Sequence, residues 1–299
     1  MAMNLSIVVT TCNRADLVGR LLESLKDQTD SNFQVIVAMD GCTDHTEKML
    51  HQLRPGFDLK WVNTHCTGYG LAVARNRGIL AADGEAVVIL DDDNFPQTGF
   101  VAAHKQSVKR RVITGGPRHP ADSSDRAQLA KMQELARLPP CQSMSFDSLL
   151  RKNSRLAFVE ANICLYREDF IDMGLFSERL KLYGFIGQEF FARARYVGYE
   201  YQYNPDAGIV HHRQRDGDNG LSSKRKHRQI RMATALRQTL MHPLYYDAQI
   251  RWARCLADGR KDCDRLPPFW FRAGLAFPYR YSRGMARTLR KKYRSLIHS

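Results

Sequence analysis

The sequence predicts an α/β fold in which a mixed, mostly parallel sheet is flanked by helices, and three observations carry that prediction. Apolar β-branched runs recur through the first third of the chain, LSIVVTT at 5–11, QVIVAMD at 34–40 and AVVIL at 86–90. Segments of helical period separate them. Polar residues, Thr10, Asp40 and Asp91, stand at the carboxyl ends of these runs, where open parallel sheets bind their ligands.

Taken in order, LSIVVTT is apolar at consecutive positions, as a strand covered on both faces must be. Asn13 offers an N-cap for a helix over 14–28 with Leu17, Leu21, Leu22 and Leu25 on one face. A second strand at 34–40, a helix over 44–53, a strand at 59–64, a helix over 70–82 and a strand at 86–90 complete the alternation. The polar stretch 119–155 contains Pro139 and Pro140 and is assigned to loops with one helix over 124–137. Regular structure resumes with AFVEANICLY at 157–166, a strand pair or one bent strand, then a helix over 187–197 and a short strand ending at Val210. Beyond it lie basic helices interrupted by Pro243, Pro267 and Pro268. The expected division is a catalytic domain over 1–215, with halves 1–100 and 101–215, and a basic helical extension over 216–299.

With 43% hydrophobic and 25% charged residues, the 299-residue chain has the composition of a globular protein rather than a disordered one. It has no uncharged apolar run of about 18 residues and no signal-peptide pattern at its start, so the expected location is the cytosol. Seven scattered cysteines without a C-x-x-C pair are expected to be free thiols.

The net charge of +14 is localised. Residues 213–299 carry 21 Lys and Arg against 6 Asp and Glu, whereas the first 212 carry 24 against 25. Aromatic residues, among them Phe269, Trp270, Phe271, Phe277, Tyr279 and Tyr281, are interleaved with the arginines. This pattern suits an anionic membrane surface, where each nearby cation contributes about 1 kcal/mol and aromatics sit at headgroup depth. A peripheral position on the inner face of the membrane is therefore expected. Two alternatives stand beside it: a nucleic acid or other polyanion, which is the less favoured partner, and arginine-rich helices packed on the catalytic domain with a solvated basic face.

The chemistry is centred on ILDDDNFP at 89–96. Three consecutive carboxylates after a buried strand repel one another unless a cation neutralises them. A hard divalent ion, Mg²⁺ or Mn²⁺, does so with one or two carboxylates and fills its remaining positions with phosphate and water oxygens. On an extended chain Asp91 and Asp93 share a side and Asp92 faces elsewhere. A solvated acidic turn is the plainer alternative for a DDD run in isolation.

Read together, LSIVVTTCNRADLVGRLLESLKDQ, VIVAMDGCTDHT and GYGLAVARNRGILAADGEAVVILDDDNFP resemble the nucleotide-sugar half of glycosyltransferase family 2, of the GT-A fold. The likeness covers residues 4–100 closely and 155–215 more loosely. It implies a metal-dependent transferase, a nucleotide-sugar donor with UDP as the default, and a glycan, lipid-linked glycan or lipopolysaccharide acceptor. Position by position, it implies Thr10, Thr11 and Asn13 along the nucleotide, Asp40 at the nucleobase, and Arg75 near base or phosphate. Asp91 and Asp93 match the Asp-x-Asp pair on ribose, metal and diphosphate, with Asp92 between them on the donor side. In GQEFFARARYVGY, Glu189 falls where the family has its catalytic aspartate, and it is the expected base. His211 or His212 is expected at the metal; neighbours on a strand point opposite ways, so only one should reach it. Asn162 resembles a polar position lining the sugar pocket. A base placed this way permits single displacement and hence inversion.

Rival classes are less well matched. A nucleotidyltransferase places a glycine-rich phosphate loop where this chain has TTCNRAD, and a dinucleotide dehydrogenase places G-x-G-x-x-G there. A non-catalytic nucleotide-sugar binding module requires the base to have been lost.

Overall fold

Strand β1 (Leu5–Thr11) lies in the interior of the sheet because all seven of its residues are apolar or small and all are buried. In a computed structural model of the chain, which describes residues 3–120, 142–143, 160–181, 186–212 and 243–260, β1 lies between two parallel neighbours, β2 (Phe33–Met39) and β4 (Ala86–Asp91). The next strand outward from β2 is β3 (Asp58–Asn63), also parallel. The eight-stranded sheet has the order β3-β2-β1-β4-β9-β6-β10-β8, with β6 (Val112–Gly115), β8 (Gln142–Ser143), β9 (Asn162–Tyr166) and β10 (Glu200–Tyr203). Strand β9 runs antiparallel to both β4 and β6. A second sheet of three short strands has the order β5-β11-β7, from β5 (Asn94–Pro96), β11 (Ile209–His211) and β7 (Arg118–Pro120).

Alternation along the central strands feeds two cores. Ile7 and Val9 face one side with Val18, Leu21 and Leu22 of α1 (Ala15–Ser24) and with Leu25. Val8 faces the other, with Ala72, Ala74 and Ile79 of α3 (Leu71–Ala81). Helix α3 approaches β1 closely because residue 78 is glycine; a Cβ there would stand 2.3 Å from Val8 Cγ1. The helix between β2 and β3 is α2 (Thr46–Gln52), and α4 (Phe100–Ser107) follows β5.

Differences from the sequence expectation are local. The N-cap of α1 is Arg14, without a side-chain cap bond, because Asn13 has a left-handed φ of 54°. Its Oδ1 instead accepts from the backbone N–H groups of Thr43 at 2.7 Å and Asp44 at 3.2 Å, tying the loop after β1 to the loop after β2. Val18 is buried on the α1 face and Leu17 only half-buried. Cys12, Cys42, Cys66 and Cys164 are free thiols, whereas Cys255 is disulfide-bonded, against the expectation of free thiols throughout. The helix expected over 124–137 and the aromatic stretch at 269–281 lie outside the described residues.

After β9 come α5 (Arg167–Asp172) and α6 (Ile186–Tyr196), whose Phe170 and Phe190 stack around Phe176. The described part of the basic extension, α7 (Pro243–Ala257), packs into the same core through Tyr245, Tyr246 and Ala253. Gln249 donates to the Gly174 carbonyl at 2.8 Å, and Arg254 bonds Glu168 and Asp172 of α5. No described helix is long and apolar enough to cross a membrane.

One buried histidine in this frame sets an acid limit. His104 of α4 lies with its Nε2 3.1 Å from Asn162 Oδ1, and burial pushes its imidazolium down to about 4 despite that bond. The folded protein thus holds His104 neutral while the unfolded chain protonates near the ordinary histidine value. The resulting stability is present above pH 6.5 and is lost as pH falls towards 4, on the order of 3 kcal/mol. Urea unfolding of His104→Gln, which retains a donor to Asn162, is expected to lose less stability over this interval than the wild type.

Candidate active site at the ends of β1 and β4

The chain leaves β1 towards β2 and β3 on one side and returns to β4 on the other, so the crevice beyond β1 and β4 is where the strand order reverses. Thr10 and Asp91 are register partners there, and Thr10 Oγ1 donates to Asp91 Oδ1 at 2.9 Å. Strand β4 ends at Asp91, so Asp92 and Asp93 lie in a turn rather than on the extended chain assumed from sequence. The turn nevertheless separates them. Asp92 points inward, accepting from Thr11 Oγ1 at 2.7 Å and Arg14 Nη1 at 2.9 Å. The side chains of Asp91 and Asp93 remain 32% and 20% exposed.

Arginines meet much of the repulsion expected within the trio. Arg75 of α3 is buried over the Phe176 ring and donates from Nη2 to Asp91 Oδ1 at 2.9 Å. Arg14 reaches Asp93 Oδ2 at 3.6 Å as well as Asp92. Burial pushes the Asp92 carboxyl up to about 6, against the pull of Arg14 and Thr11. Asp93 is also desolvated, yet its carboxyl is held below the usual range by His211, Arg118 and Arg14.

The small sheet brings a residue distant in sequence to this turn. In β11, His211 pairs with Asn94 of β5, and its Nε2 lies 3.7 Å from Asp93 Oδ2. The adjacent His212 ring packs edge-on against Phe95 with centroids 4.9 Å apart. Of the two candidate histidines, His211 is the one turned towards the carboxylates. Among the described residues no three His, Cys, Asp or Glu side chains converge into a metal cage. Asp93 and His211 offer two ligands on one side of the crevice, a donor set that a hard ion completes with phosphate and water oxygens.

Asp40 closes the crevice beyond β2. Its Oδ2 accepts from the Gly70 N–H at 2.9 Å, while Oδ1 is buried without a hydrogen-bond partner. Burial raises this carboxyl despite the Gly70 bond. Asn13 is exposed at the rim.

Two expected residues do not join the cluster. Asn162 is buried and uses its amide inside the fold, with Oδ1 facing His104 and Nδ2 donating to the Ala207 carbonyl at 2.9 Å. Glu189 is 0% exposed, and both of its oxygens accept from Arg193, at 2.8 and 3.0 Å. Arg193 also donates to the Met173 and Leu175 carbonyls, so this i,i+4 pair anchors α6 to the segment after α5. A carboxylate held in that way does not face an acceptor, and the geometry does not support the expected base role. Arg14 and Glu160 were not singled out from the sequence. Glu160 is part-exposed and lies 3.8 Å from Arg75 Nη1. Its only sequence signal is an acid in the otherwise apolar lead-in to NICLY.

Comparisons with known proteins agree with this fold. The description of glycosyl transferase family 2 matches residues 6–172, more than half of the chain, which therefore belongs to that family. Among curated proteins it is similar to chondroitin synthase of Escherichia coli, 34% identical over 128 residues, covering 42% of this chain and 19% of that protein. It is also similar to validoxylamine A glucosyltransferase of Streptomyces hygroscopicus subsp. jinggangensis, 29% identical over 198 residues, covering 58% of this chain and 47% of that one. The matched regions thus span less than half the length of these two relatives. Solved structures share the fold. S. aureus TarS 1-349 in complex with UDP-GlcNAc has a TM-score of 0.58 at 18% identity, covering 85% of this chain and 71% of that chain. Mannosyltransferase PcManGT from Pyrobaculum calidifontis, in complex with GDP-Man and Mn²⁺, has a TM-score of 0.54 at 21% identity, covering 99% and 83%.

The Glu189–Arg193 pair yields a direct test. Replacing Glu189 by Gln leaves a buried guanidinium uncompensated, and removing one partner of such a pair costs about 3–5 kcal/mol. Glu189→Gln is expected to unfold at lower temperature and lower urea concentration. Unchanged stability with abolished turnover would return the residue to the chemistry.

Proposed function

We propose that this chain transfers a sugar from a nucleoside-diphosphate sugar, a UDP-sugar by preference, to a glycan or lipid-linked glycan acceptor with the help of Mn²⁺ or Mg²⁺. The observation that carries the reading is the pairing of part-exposed Asp91 and Asp93 with Arg75 and His211 at the reversal of strand order. Family membership supports it, as do relatives named as sugar transferases and the nucleotide sugars bound to TarS and PcManGT.

Each residue then has a task that follows from its surroundings. The unpartnered Oδ1 of Asp40 accepts the imide N–H of a uracil, which relieves a buried oxygen that otherwise costs about 1–3 kcal/mol. Thr10 and Arg75 hold Asp91 in place towards the ribose and diphosphate. Asp93 and His211 would hold the ion, which when bound would supply positive charge against the leaving diphosphate. Asp92, bonded to Thr11 and Arg14, fixes the turn that presents its two neighbours. Attack on the face opposite the leaving group gives inversion, so NMR of the first-formed product is expected to show an anomeric configuration opposite to the donor's.

A thermal-shift screen of UDP-, GDP-, dTDP- and CMP-sugars with Mn²⁺ is the primary test, since a bound donor raises the unfolding temperature by mass action. The largest shift is expected with UDP-sugars, and Asp93→Asn and Asp40→Asn are expected to reduce it. No shift with any of the four nucleotides contradicts the reading. The basic segment 216–299 is assigned to an anionic membrane surface on its charge and its interleaved aromatic residues. Flotation with anionic but not neutral liposomes, weakening with salt, is the expected outcome.

A further inference from the structure

We propose that Glu160 is the general base that takes the proton from the acceptor hydroxyl. The assignment rests on the transferase reading above and concerns the one role for which Glu189 is unsuitably placed.

The other carboxylates around the crevice are engaged. Asp91 accepts from Thr10 and Arg75, Asp92 from Thr11 and Arg14, and Asp40 from Gly70; Asp93 lies against His211 and Arg14. Glu160 accepts no hydrogen bond among the described residues, has one ion pair at 3.8 Å, and keeps its side chain 31% exposed. A general base needs this state: a carboxyl oxygen with a free lone pair that a substrate hydroxyl can reach.

Its position follows from the sheet. Strand β9 runs antiparallel to β4 with Asn162 opposite Leu90, and extending that register brings Glu160 alongside the acidic turn. Arg75 links the two carboxylates, with Nη2 at 2.9 Å from Asp91 and Nη1 at 3.8 Å from Glu160. The same buried cation therefore positions a residue assigned to the donor and the proposed base.

Space for the carboxylate is made by a glycine. Gly187 stands in the first turn of α6, and a Cβ there would fall 2.2 Å from Glu160 Oε2 and 2.5 Å from its Cδ. Any other side chain at 187 would meet the Glu160 carboxylate where it now lies, and the glutamate would have to turn away. The point occupied by this carboxylate is thus one that a side chain from α6 could also reach, provided residue 160 were small.

The step balances without a further reactant. The acceptor O–H gives its proton to a Glu160 oxygen as the hydroxyl oxygen bonds to the anomeric carbon. The bond from that carbon to the diphosphate oxygen breaks, and its electron pair leaves with the nucleoside diphosphate.

The test uses the full chain with the UDP-sugar that gives the largest thermal shift, Mn²⁺, and water as acceptor. Glu160→Gln is expected to lower turnover roughly 10²–10⁴-fold, while UDP affinity by calorimetry stays within about threefold of wild type. Moving the carboxylate supplies the second variant: Glu160→Gly is expected to be as poor as Glu160→Gln, and adding Gly187→Asp to it is expected to recover about tenfold or more. Wild-type turnover in Glu160→Gln overturns the assignment while leaving the donor reading intact. Loss of UDP affinity in proportion to turnover also overturns it, since Glu160 would then be a donor-binding residue. A wild-type protein that binds no UDP-sugar contradicts the donor reading and this assignment together.

Discussion

The site depends on charge compensation within a turn. Three carboxylates follow a strand that is buried on both faces, and their repulsion is met by two guanidinium groups placed from different helical segments, Arg14 before α1 and Arg75 within α3. Neither is optional for the geometry. Arg75 is buried, and a buried cation is tolerated only when it is paired, so its position is fixed by Asp91 as much as it fixes Asp91. Arg14 compensates the inward Asp92, which allows that residue to anchor the turn from below. The result is one carboxylate held inside and two presented outward.

On this base the more distant parts of the chain are added. Strand β5, immediately after the turn, pairs with β11 and so carries His211 to Asp93. Strand β9 flanks β4 from the other side and carries Glu160 to Arg75. In the last described helix, α7, Tyr245 and Gln249 fix the segment 174–177, whose Phe176 ring lies under Arg75. Part of the basic extension therefore supports the catalytic core.

Much of this was legible in the sequence where local pattern and structure coincide. The βαβ alternation up to Asp91 is written in the period and length of its runs, and the positions of Thr10, Asp40 and Asp91 follow from strand ends. Asp92 is expected from sequence to face away from its neighbours and yet to lie on the donor side; the chain turns after Asp91, and hydrogen bonds from Thr11 and Arg14 hold the middle residue inward instead. Glu189 shows the limit of motif reading. An acid in the first turn of a helix, four residues before an arginine, has the same sequence whether it faces a substrate or pairs with that arginine, and only burial distinguishes the two. Asn162 fails similarly, since an amide near a site can equally be used to join β9 to α4 and to the Ala207 carbonyl. Glu160 and Arg14 left almost no trace because their importance arises from contacts across long sequence separations.

On the proposed reading the acidic turn holds its outward carboxylates for a cation and a diphosphate while its inward one is structural. Anomalous diffraction from crystals grown with UDP and Mn²⁺ reads this out. A manganese peak within bonding distance of Asp93 and His211, with Asp92 still bonded to Thr11 and Arg14, is the expected result. A peak bound by Asp92, or none at the turn when UDP is present, refutes it.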